Sequence, residues 1–124
     1  MGTALRERLR AAERRRFKTF AAPIVGEVRL RSLTAREVAA IRAKFSKPDG
    51  EPNSEAIQRM RHYLIAACLC DDDGNPCCAL DDVDRGGLDD LDGGVLDALF
   101  AACRDHTGFA AEAGWSAVVD AAKN

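Results

Sequence analysis

No apolar run in this chain approaches the roughly 18–20 residues that cross a bilayer, and 31% of its 124 residues are charged. Both features argue against a membrane-spanning protein. The apolar core of a secretory signal is missing too: after Leu5 the chain reads RERLRAAERRR. Position 6 is Arg, where an N-myristoylation pattern needs Ser or Thr. Histidine is scarce, with His62 and His106 alone, and no nucleophile elbow or glycine-rich loop stands near either. No enzyme and no cofactor is expected on these grounds. Cysteine is present but odd in number, at five. The expectation is free thiols in a reducing compartment, packed as small hydrophobes. Internal repeats and low-complexity linkers are absent.

The residues that are there suit one domain. The apolar share of 47% is enough for a core at this length. Charge is unevenly placed. Residues 1–61 hold 15 Lys and Arg against 7 Asp and Glu, and residues 62–124 hold 3 against 13. Such halves can pair internally, stack head to tail between copies, or present one pole to a charged partner.

The spacing predicts an α+β fold, mainly α with a small N-terminal β-hairpin. Residues 1–16 read as a basic helical arm, rich in helix formers but with only Leu5 and Leu9 as sizeable apolar groups, hence loosely attached. Residues 17–124 read as a single domain. Alternation over residues 17–22 and 25–33, with Pro23 between, predicts a hairpin with a loose turn over about 17–33. Thr34 and Glu37 form a capping box, with Leu33 and Val38 as its staple, opening a helix over about 34–45. The organising element is a helix over about 54–70. Ile57, Met60, Leu64 and Cys68 form its stripe, and its last two turns are apolar nearly all round. Further helices are expected over about 80–85, 94–107 (capped by Asp92 and stopped by Gly108) and 110–122, the last presenting Trp115, Val118 and Val119.

Three patterns invite a chemical reading. Asp71-x-Asp73-x-Asn75 opens like a calcium loop, but Pro76 replaces the glycine of the bend and Asp82 the bidentate glutamate. Cys68-x-Cys70, Cys77-Cys78 and Cys103-x-x-His106 resemble a zinc set. Two positions apart on a helix, however, Cys68 and Cys70 point about 200° from each other. No metal is therefore expected. Residues 6–18 carry seven basic and two acidic residues, including Arg6, Arg10, Arg14, Arg15 and Arg16, which is a footprint for phosphate or for an acidic protein. The acidic second half disfavours nucleic acid.

Read together, RLRSLTAREV (29–38), RMRHYLIAACLCDDDGNP (59–76), ALDDV (79–83), LDALFAACRDHTG (96–108) and the final AAKN stand in an order that resembles the tail assembly chaperones of long-tailed bacteriophages. The resemblance covers about residues 20–124. It departs from the family at Cys77-Cys78, where bulky apolar residues are expected, and at Gly86-Gly87, Gly93-Gly94 and Gly114. It implies a non-catalytic protein of the host cytoplasm, left out of the mature virion, that binds the tape measure protein and helps recruit tail tube subunits. Arg6, Arg10, Arg14, Arg15, Arg16, Trp115, Val118 and Val119 are the candidate partner-binding residues. Self-association through the opposite charge poles is a further expectation. A head–tail connector or small regulatory protein, and a nucleic-acid binder using the basic arm, are the alternatives.

Overall fold

Val28 and Leu30 alternate with Glu27, Arg29 and Arg31, and this period of two makes β2 (Gly26–Arg31) the middle strand of the sheet. The computed structural model describes residues 3–109. Within them, helix α1 (Thr3–Ala12) precedes β1 (Phe17–Ala22), which pairs antiparallel with β2 in an unbroken register from Phe17↔Arg31 to Ala22↔Gly26. One face of this ribbon carries Phe20, Ala22, Val28 and Leu30 inward, and Leu30 is fully buried. A third strand, β3 (Leu69–Cys70), joins the other edge of β2 through Arg29↔Cys70 and Leu30↔Leu69.

Helix α2 (Ala35–Ala43) starts on the expected capping box. Glu37 N–H donates to Thr34 Oγ1 at 3.2 Å, and Thr34 N–H donates to Glu37 Oε1 at 2.8 Å. The organising helix differs from its expected form. It is α3 (Ser54–Gln58), a break at Arg59, and α4 (Met60–Cys68). Asn53 caps α3 by accepting from Ala56 N–H. At the break no Gly or Pro intervenes. Arg59 N–H turns to the three-residue bond with Ala56 C=O, while the Arg59 guanidinium donates to Asp84 C=O at 2.9 Å. At its other end the helix stops two residues earlier than expected, because Leu69 and Cys70 find backbone partners on β2.

The central role of this segment holds. Tyr63 to Cys68 are all buried, and α4 contacts α2, α5 (Leu80–Asp84) and α6 (Gly93–Thr107). Ile41, Phe45, Val83, Val95, Leu99 and Cys103 complete the core, with the Phe45 ring edge-on to Tyr63 at 6.2 Å. Asp92 caps α6 by accepting from Val95 N–H, and Gly108 ends it at φ 71°. Gly87 is no weakness in its segment. A Cβ there would stand 2.8 Å from Asp82 C=O, which receives Gly87 N–H, so only glycine fits this close turn. The helix expected over 110–122 lies outside the described residues.

Candidate partner-binding surface

Helix α1 buries no residue. Arg6, Arg10 and Arg14 are exposed and make no ion pair among the described residues. Leu9 is 56% exposed. The end of the arm is different, and here the structure separates five arginines that sequence grouped together. Arg15 Nη1 donates to Ser32 C=O at 2.7 Å and to Glu37 Oε1 at 2.8 Å, and Nη2 donates to Glu37 Oε2 at 3.2 Å. Arg16 N–H donates to Ser32 Oγ, Ser32 N–H returns a bond to Arg16 C=O, and the Arg16 guanidinium reaches His106 C=O on α6 at 3.1 Å. Arg15 and Arg16 thus tie down the end of the arm, and the helix before them buries no residue. Trp115, Val118 and Val119 lie outside the described residues.

Glu37 is the hub of this junction. Its Oε2 also accepts from Arg31, whose side chain is nearly buried and donates further to Ala67 C=O at 2.6 Å and Gly74 C=O at 3.3 Å. Burial raises the Glu37 carboxyl. The bonds from Arg15 and Thr34 N–H and the charge of Arg31 outweigh it, holding the carboxyl below the usual carboxylate range. One carboxylate therefore joins the arm, the first turn of α2 and the middle strand, and Arg31 extends the link to the C-terminal end of α4. Between α1 and this junction runs an open groove of about 480 Å³, lined by the apolar Leu9, Ala12, Leu33 and Ala35 and by the polar Glu13, Arg14, Arg15, Ser32 and Thr34.

The far end of the hairpin carries a second exposed apolar feature, one that the alternating pattern gave no means to find. Ile24 is 88% and Val25 51% exposed. The expected loose turn is a tight one: Val25 N–H donates to Pro23 C=O at 2.6 Å, with Ile24 between them at φ 68°. That is a γ-turn of the rare, strained hand.

The second half of the chain is acidic, yet much of that charge is already met by cations of the first half. Lys44 binds Asp81 at 3.0 Å and Asp84 at 2.6 Å, Arg59 reaches Asp89 at 3.7 Å, and Arg61 pairs with Asp97. Tyr63 donates to Asp84, and burial together with that carboxylate pushes its hydroxyl well above the ordinary tyrosine value. His62 faces Asp89 at 3.5 Å; burial holds its imidazole below the ordinary value, helped by Arg59 and Arg61.

The calcium-like and zinc-like patterns resolve into local structure. Asp71 Oδ1 accepts from Asp73 N–H at 2.9 Å and Asn75 N–H at 3.0 Å, so this carboxylate serves its own turn. The turn docks on the sheet: Gly74 abuts the Phe17 ring, and Arg29 stacks on that ring at 3.9 Å while donating to Asp72 C=O. Cys68 and Cys103 are buried against each other between α4 and α6. Cys70 lies on β3, so the angle argued from a continuous helix does not apply to it. Cys77 and Cys78 place their Sγ atoms 3.9 Å apart, and burial pushes the Cys77 thiol up to about 12. Among the described residues no three His, Cys, Asp or Glu side chains gather in a metal-holding group, and no helix is long and apolar enough to cross a membrane. Comparison with protein-family models, with curated proteins and with solved structures finds no match.

Proposed function

We propose that this protein is a non-catalytic tail assembly chaperone of the long-tailed-phage kind, binding the tape measure protein in the host cytoplasm, helping to recruit tail tube subunits, and staying out of the mature virion. The reading rests on the order of sequence segments described above. The observation that supports it is α1: a helix that buries nothing, carries Arg6 and Arg10 without an ion pair among the described residues, is followed by the equally free Arg14, and lies beside a groove with an apolar lining. A long helical client needs apolar surface that it can cover and a field that steers encounter.

The test is co-expression with a tagged tape measure fragment and capture at low and high salt. Removing residues 1–12, which spares the anchoring Arg15 and Arg16, leaves the fold intact and weakens capture, with the loss shrinking as salt rises. Trp115→Ala weakens capture in a way salt does not change, since Trp115 with Val118 and Val119 is the proposed apolar contact. No capture by the unaltered protein overturns the reading. Undiminished capture by both variants overturns the contact surface alone.

A further inference from the structure

The hairpin tip is a costly structure whose leading side chain is left exposed. A β-branched residue at positive φ is strained, because its Cβ crowds the backbone. Turns that need this conformation ordinarily carry Gly, Asn or Asp. Here the position holds Ile24, at φ 68° and 88% exposed, followed by the half-exposed Val25. Strain kept where the side chain packs against nothing at home points to a partner outside the fold.

The groove at the other end of the hairpin has the matching character. Leu9, Ala12, Leu33 and Ala35 are the apolar part of its lining, and about 480 Å³ accommodates two aliphatic side chains. Arg14 lines the groove beside Glu13, and neither makes an ion pair among the described residues, nor does the exposed Glu27, three residues past Ile24, so Arg14 is the charge that Glu27 can meet there. The tip cannot reach the groove of its own chain. The ladder from Ala22↔Gly26 to Phe17↔Arg31 separates tip from base by five residue steps, roughly 17 Å at the usual strand rise.

We propose that the Ile24–Val25 tip of one copy inserts into the groove between α1 and the 33–35 segment of a second copy, with Glu27 of the first set against Arg14 of the second. The two surfaces are different patches of one chain, so the contact is heterologous. Each added copy presents a fresh tip and a fresh groove, and the assembly grows head to tail rather than stopping at a dimer. This inference uses the same groove as the tail-chaperone reading but needs no client, so self-association of the purified chain tests it separately. It also differs from a pairing of opposite charge poles, because its core is apolar and persists in salt.

The test is sedimentation velocity of the full chain over a range of concentrations, at low and high salt. The wild-type protein is expected to form species larger than dimers at high concentration, in both salts. Ile24→Asn suits the turn better and should leave thermal stability equal or higher, while weakening self-association by at least about tenfold, or about 1.4 kcal/mol. Ala12→Arg, on an exposed helix position, should do the same by filling the groove. Mixing the two variants should restore one intact contact and give a 1:1 pair that does not extend. A monomeric wild type at every concentration, assembly unchanged in Ile24→Asn, assembly that dissolves in salt, or a mixture that stays monomeric would each overturn the proposal.

Discussion

Arg31 shows how one side chain can close a fold. Its guanidinium satisfies Ala67 C=O at the end of α4, Gly74 C=O in the acidic turn and the Glu37 carboxylate. Truncation takes the guanidinium donor from both carbonyls and leaves Glu37 to Arg15 and Thr34 N–H alone. Arg31→Ala should cost about 2–4 kcal/mol in urea unfolding, whereas Arg14→Ala, exposed and unpaired, should change stability by less than about 0.5 kcal/mol. Two acid-sensitive groups can be told apart by pH. His62 is held below its ordinary 6.5, so the stability it leaves intact above that value is lost progressively as pH falls below it. Glu37 is held below 4.5, so its contribution is complete above that pH and disappears as pH falls through its lower folded value. His62→Gln should flatten the stability profile in the upper window and Glu37→Gln in the lower one. If each variant flattened the other's window, the assignment would fail. Sequence did point to Glu37, through the capping-box spacing. It did not point to Arg31, because a charged residue on the outer face of a strand looks solvated until the 71–75 turn and the end of α4 are placed over it.

At the scale of elements, α4 carries the core. Leu64 is fully buried, and Leu64→Ala should cost about 2–5 kcal/mol. Thr34→Ala should cost about 1 kcal/mol by removing the N-cap of α2. Unchanged unfolding midpoints for either variant would contradict these roles. Labelling of Cys68 and Cys103 should be slow in the native protein and fast in denaturant, since both thiols are buried. Periodicity made α2, α6 and both hairpin strands readable, because each is amphipathic and ends on a capping residue or a turn. It failed at Leu69 and Cys70. An apolar run with no break residue continues a helix on paper, and only the free edge of β2 turns it into a strand. It also failed at Arg59, where a tertiary bond to Asp84 C=O accompanies a break that no Gly or Pro announces.

For the whole molecule, the uneven charge is partly spent inside. Lys44, Arg59 and Arg61 stitch the first half to Asp81, Asp84, Asp89 and Asp97 of the second. These pairs are partly solvated, so Lys44→Met should cost about 1 kcal/mol or less. A loss above about 2 kcal/mol would show this seam to be a main support of the fold. Of the cations left over, four stand close together on α1 and just after it, Arg6, Arg8, Arg10 and Arg14. Net charge per half, which sequence supplies, does not distinguish spent from unspent charge. That distinction comes from which residues the fold brings within reach.

The Arg31 junction also sets an order of events during folding. Two of the partners around Glu37 close short loops, three residues from Thr34 and six from Arg31, whereas Arg31 reaches Ala67 across 36 residues. Closing the long loop costs more chain entropy and comes later. The hairpin and the start of α2 can therefore form as an early nucleus, with the Arg31 side chain waiting for α4 to arrive. Substitutions of Arg31 should then mainly accelerate unfolding, and those at the β1–β2 pairing should mainly slow refolding. Stopped-flow chevrons would show this as a low φ-value at position 31 and higher ones in the hairpin.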